Sequence, residues 1–208
     1  MSFIEPGLFD MIIRLRGRGI SDTDVLRAME QVPRSAFVPL DSRMKAYDEM
    51  DLPIACGQTL PAPLSIAIML QSLDVIPSHK VLLVGAGSGY TAAVLGKMCL
   101  REYAIDRYRT LVEGAEQACR EHVNNVVIKY ADGRFGWRGQ VPFDRILVMA
   151  SVRVMPTTLI EQLKPDGKIL AVVENKLVSG AKNGRRWKET AILPMKLSPL
   201  KPGKSKTL

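Results

Sequence analysis

The chain has 208 residues, 47% of them hydrophobic and 24% charged, with a mean hydropathy of +0.04. That composition excludes a disordered, collagen-like or coiled-coil chain, and no apolar run approaches the roughly 18 residues of a membrane span. The formal net charge is +8, yet residues 1–175 are electrically balanced and the whole excess lies in residues 176–208, where Glu189 is the single acidic residue.

The first 40 residues read as helices broken by glycine. Ile12, Ile13 and Leu15 belong to an apolar stretch that Gly17 and Gly19 end. Ser21 is the expected N-cap of the next helix, whose apolar face is Val25, Leu26 and Met29 and whose end is Pro33. Residues 41–61 carry the breakers Pro53, Gly57 and Pro61 and predict an irregular, surface-facing segment. Helical spacing returns over 62–76, through Ile66, Ala67, Met69, Leu70 and Leu73.

A regular alternation follows. Short apolar runs at 81–84, 103–105, 126–128, 145–148 and 169–173 predict strands. Helices are expected over 90–99, around Leu111, Ala115 and Ala118, and over 155–163. Nearly continuous apolar strands alternating with helices indicate a mostly parallel α/β sheet covered on both faces. Residues 186–193 predict a last strand, antiparallel in sense, followed by a solvated, partly disordered basic tail. The expected organisation is one domain over 1–208. It comprises a helical extension with a loop (1–60), a ligand-binding core (61–175) and a basic strand and tail (176–208).

Chemistry concentrates after the first sheet strand. Gly85-Ala-Gly87-Ser88-Gly89 follows that strand directly and opens a helix. Glycines allow the sharp turn and a close ligand approach, and the helix start presents free amides. Asp106 lies at the end of the second strand, where a carboxylate accepts hydrogen bonds from ribose hydroxyls. Together they predict an adenosine-containing cofactor. A dinucleotide loop would place its third glycine at Tyr90, and a phosphate loop would need a Lys-Ser or Lys-Thr pair; neither is present. The G-x-G-x-G form resembles motif I of class I methyltransferases, which bind S-adenosyl-L-methionine, and Asp132-Gly133 suits the adenine-flanking loop of the same site.

Four blocks in order extend that likeness. They are Arg34-Ser-Ala-Phe-Val-Pro39 with Ala46-Tyr47, Gly57-Gln58-Thr59-Leu-Pro61-Ala-Pro63, Val81 to Tyr90, and Asp132 to Trp137 with Pro142-Phe-Asp144 and Gln162 to Gly167. Over residues 22–173 the chain resembles the protein-L-isoaspartate O-methyltransferases. The resemblance implies the class I methyltransferase, Rossmann-like sandwich. It also implies methyl transfer from S-adenosyl-L-methionine to the free carboxylate of isoaspartyl residues in damaged proteins, with isoaspartyl proteins or peptides as partners. By the same likeness Gly85, Gly87, Ser88, Gly89, Asp106, Asp132 and Gly133 would bind the cofactor, and Thr59 with Gln58 would hold the acceptor carboxylate. No metal is called for, and His79 and His122 read as ordinary surface residues.

The departures from the family pattern fall on the site. Pro61 stands where the family has a loop serine, Leu83 where it has an acidic residue, Ala131 and Ala55 where it has glycines, and Met149 where it has threonine. Losing the carboxylate at Leu83 is expected to weaken cofactor binding by roughly 1–3 kcal/mol. These changes leave open a methyltransferase for another acceptor, or a protein that kept the fold and lost the cofactor. Cys56, Cys99 and Cys119 show no paired spacing, and the N-terminus shows no secretion signal, so a reduced, cytoplasmic protein is expected. Neither a membrane nor a nucleic acid is an expected partner, since no stacking-aromatic or zinc-finger pattern accompanies the basic charge. Trp137 suits either a substrate mouth or a sheet edge.

Overall fold

The computed structural model describes residues 7–184 and 186–205. Two helices lead, α1 (Leu8–Gly17) and α2 (Thr23–Gln31). The α2 cap is Asp22 rather than Ser21: its carboxylate accepts from the Asp24 and Val25 amides at 2.9 and 3.2 Å. The Ser21 and Asp22 amides instead donate to Gln71 Oε1. An ionised acceptor nearer the first turn outcompetes a hydroxyl one residue earlier.

Residues 41–61 are more ordered than their breakers suggested. Two three-residue strands, β1 (Leu52–Ile54) and β2 (Gln58–Leu60), pair as an antiparallel hairpin. Its turn puts Cys56 and Gly57 at φ 60° and 62°. Leu52, Ile54 and Leu60 are buried while Thr59 is exposed, so one face of the hairpin joins the core. Arg34, fully buried, ties the hairpin down: Nε donates to Ala46 O and Nη2 to Pro61 O, both at 2.8 Å. Its guanidinium also faces the Tyr90 ring at 5.1 Å.

Helix α3 (Pro63–Leu73) precedes the main sheet. In chain order the sheet uses β3 (Lys80–Val84), β4 (Arg101–Asp106), β5 (Val126–Tyr130), β6 (Phe143–Val152), β7 (Leu163–Val173), β8 (Lys176–Asn183) and β9 (Arg186–Pro194). Their spatial order is β5-β4-β3-β6-β7-β8-β9, parallel through β7 and antiparallel for the last two. β8 was not foreseen; it returns from β7 through a tight turn with Glu174 and Asn175 at φ 46° and 64°. The edge strand β9 exposes Arg186, Lys188 and Glu189, charges that discourage edge pairing.

Helices α4 (Tyr90–Met98) and α5 (Arg109–Arg120) follow β3 and β4. The larger core cluster joins Val81 and Leu83 of β3 to α1 through α5. Leu82 and Val84 point to the other face, where the cover is thinner: the four-residue α6 (Thr157–Ile160), with Trp137, Trp187 and Leu200 packed alongside. The helix expected over 155–163 is therefore much shorter. Gln162 anchors the loop before it, accepting from the Trp137 amide and donating to Phe135 O and Thr158 O, all at 2.9 Å.

Through residue 205 the basic segment is not a solvated tail; residues 206–208 lie outside the described residues. Residues 176–183 and 186–194 complete the sheet, and residues 195–205 run back across the carboxyl ends of its strands. The Ser151 amide donates to Ser198 O and the Leu200 amide to Ser151 O, both at 2.8 Å. The Ser205 amide donates to Arg107 O at 2.8 Å, and the Tyr130 hydroxyl to Ser205 O at 2.6 Å. We call this run the strap. The histidines also differ from expectation. His79 is buried, with Nδ1 accepting from the Ile76 amide at 3.2 Å, and His122 lies against Phe37. Burial lowers the pKa of each.

Candidate active site

The sheet order reverses between β4 and β6, either side of β3. In open α/β sheets such a reversal leaves a crevice at the carboxyl ends of the strands. A cleft opens there, with a volume of about 100 Å³. Its floor is the glycine loop after β3, the end of β4 and Met149-Ala150 of β6. The hairpin forms one wall and the strap residues Leu197 to Lys201 the other.

The glycine loop has the backbone its sequence demands. Gly85 sits at φ 92°, and an added Cβ there would stand 3.3 Å from Met149 Cβ. Gly89 caps α4 at φ 91°, with Ala115 only 3.0 Å from where its Cβ would be. Gly89 therefore packs α4 against α5 and does not line the cleft, whereas Gly85, Gly87 and Ser88 do.

Asp106 is buried at the same place. Oδ2 accepts from the Gly87 amide at 2.9 Å and Oδ1 from the Tyr108 amide at 3.0 Å. Burial raises its pKa, and the two amides together with Arg107 work against that rise. Each carboxylate oxygen has lone pairs enough to accept a further hydrogen bond, which suits a vicinal diol. The Ser88 hydroxyl is buried without a partner in the same loop. An acceptor carboxylate, a spare hydroxyl and glycine amides around one cavity fit the ribose and charged tail of S-adenosyl-L-methionine.

Asp132 is placed differently. Its carboxylate is engaged by Arg134, at 2.7 Å to Nη2, and by the Gly203 amide of the strap, also at 2.7 Å. Burial opposes its ionisation, but these partners prevail and hold the carboxyl below its ordinary value. Asp132 does not line the cleft; Gly133 does, with Leu200 packed over it.

On the acceptor side Gln58, Thr59, Leu60 and Pro61 line the cleft. The Gln58 amide donates to Cys56 O at 3.1 Å and, at 3.5 Å, to the Tyr108 hydroxyl. Leu83 lies wholly inside the larger core and does not line the cleft, while Met149 does. Trp137 packs on Tyr103, 5.3 Å between ring centroids, away from the cleft. Sequence reading missed Arg107, Tyr108 and the strap. Arg107 alone had a signal, a cation next to the strand-end carboxylate.

The family model described as Protein-L-isoaspartate(D-aspartate) O-methyltransferase matches residues 9–192. The chain belongs to this family. It is 42% identical over 210 residues to the protein-L-isoaspartate O-methyltransferase of Parvibaculum lavamentivorans, covering 97% of this chain and 95% of the relative. It is 40% identical to that of Maricaulis maris, over the full length of both. Among solved structures, a Plasmodium falciparum chain described as an enzyme of this family, in complex with S-adenosyl-L-homocysteine, superposes with a TM-score of 0.82. It is 23% identical and covers 95% of this chain and 99% of its own, a likeness of fold. In this member of the protein-L-isoaspartate O-methyltransferase family, Pro61 and Met149 line the cleft beside the glycine loop, whereas Leu83 does not.

Proposed function

We propose that the chain transfers the methyl group of S-adenosyl-L-methionine to the free carboxylate of L-isoaspartyl residues in damaged proteins and peptides. The observation that carries this reading is a single cleft joining the glycine loop and Asp106 to the Gln58-Thr59 hairpin, in a chain of this family.

The reaction asks for alignment more than for acid–base chemistry. Bound in the cleft, the cofactor would supply an electrophilic sulfonium methyl. The acceptor carboxylate is already ionised near pH 7, so no base is needed. Asp106 with the Gly87 and Ser88 region would hold the cofactor, with Gly85 and Gly133 giving it room. Thr59 and Gln58 would hold the carboxylate. The apolar side chains of Ile54, Leu60, Pro61 and Met149 line the same cleft and would limit water beside the reacting groups. Together these residues would hold the acceptor oxygen in line with the methyl group that the cofactor would supply, and none of them would need to move a proton. The three free thiols fit a reducing, cytoplasmic setting.

Incubation with S-adenosyl-L-methionine and an isoaspartyl peptide should yield a base-labile methyl ester, and the normal aspartyl twin should yield none. Thr59→Ala should lower kcat about tenfold, the loss of about one hydrogen bond, with the cofactor affinity kept. Equal methylation of the two peptides would overturn the reading.

A further inference from the structure

The hydroxyl that the acceptor loop lacks at Pro61 has a neighbouring counterpart. Tyr108, just after β4, lines the cleft beside Gln58. Two groups point at its oxygen: Arg107 Nη1 at 3.1 Å and Gln58 Nε2 at 3.5 Å. Both can only donate. A guanidinium has no acceptor. The Gln58 amide is oriented by Cys56 O, which takes a hydrogen bond from the same Nε2 at 3.1 Å. Arg107 is equally fixed, with Nε donating to Gly203 O at 3.0 Å and Nη2 to Pro202 O at 3.1 Å.

The phenol oxygen is therefore an acceptor toward both neighbours, and its own proton must be donated elsewhere. Among the described residues no acceptor takes it. Tyr108 is half-buried and lines the cleft between the acceptor loop and the Asp106 end of β4. A donor polarised by a cation and lacking an internal acceptor matches a carboxylate oxygen.

We propose that Tyr108 is an acceptor-positioning residue, its hydroxyl donating to the isoaspartyl carboxylate in place of the loop hydroxyl absent at Pro61. Arg107 then couples two functions: it orients this hydroxyl and pins the strap that closes the cleft. The proposal rests on the carboxylate-acceptor reading above.

The test is Tyr108→Phe, which keeps the ring and its stacking under Arg107. KM for the isoaspartyl peptide should rise about tenfold, while affinity for S-adenosyl-L-homocysteine stays within about twofold. Adding Pro61→Ser to Tyr108→Phe should restore much of the lost kcat/KM by returning a hydroxyl from the loop side. An unchanged KM in Tyr108→Phe overturns the proposal. So does a matching loss of S-adenosyl-L-homocysteine affinity, which would assign the hydroxyl to the cofactor. A native protein that methylates no isoaspartyl peptide overturns the functional reading itself, and this proposal with it.

Discussion

Glu102 is a carboxylate with no obvious place in the core. It lies in β4, fully buried, and neither carboxylate oxygen has a partner. Burial raises its pKa well above the ordinary value, so the folded protein holds a proton that the unfolded chain releases. The sign follows from linkage: stability is full below the unfolded value of about 4.5 and declines as pH rises toward the folded value. Glu102→Met should flatten this decline and add about 1–3 kcal/mol at pH 8, since an unpaired polar group leaves the core. Denaturant melts at pH 5 and pH 8 check both effects, and a variant with an unchanged pH slope would contradict them. Nothing in the sequence set Glu102 apart, because a glutamate in a short apolar run reads as a solvent-facing position. Asp106 was legible from its place at a strand end, whereas the Asp132 partnership with Gly203 spans 71 residues and leaves no local trace.

At the scale of elements, the hairpin and the strap make the cleft, and both were hard to read. Three-residue strands around Pro53 and Gly57 are too short for alternation to show. The strap is held mainly through backbone groups, which any sequence supplies, and Pro199, Pro202 and Gly203 give it the look of a linker. The five parallel strands were legible, since the central strands β3, β4, β6 and β7 carry buried residues on both faces and read as apolar runs, as does 126–128 of the edge strand β5. β8 escaped because Ser179, Gly180 and Lys182 dilute its apolar content. Yet Gly180 is required, since the Trp187 ring occupies the space a side chain would take. The strap yields a prediction. Asp132→Ala removes the carboxylate that accepts the Gly203 amide, so exchange of that amide should accelerate about tenfold or more. Hydrogen exchange resolved at residues 197–205 measures this; unchanged protection would show that Asp132 does not hold the strap.

Across the whole molecule, topology and charge meet at one end of the sheet. The order reversal beside β3 creates the crevice, and the strap brings Lys201 to its rim, near Arg107. Capture of an acidic isoaspartyl peptide should accordingly weaken with salt, with kcat/KM falling several-fold between about 0.01 and 0.3 M ionic strength. A neutral peptide should change less, and equal salt dependence for the two would remove the charge from the account. The substitutions at Pro61, Leu83 and Met149 raised the prospect of a silent site from sequence alone. Leu83 proves to be core, and Asp106, Ser88 and the glycine loop still surround a cleft. The central claim is that this cleft holds the cofactor, and calorimetric titration with S-adenosyl-L-homocysteine tests it most directly. The account predicts micromolar affinity in the native protein, weakened about tenfold to a hundredfold by Asp106→Ala as a charged hydrogen-bond acceptor is lost. No binding up to millimolar concentration, or binding indifferent to Asp106, would contradict it.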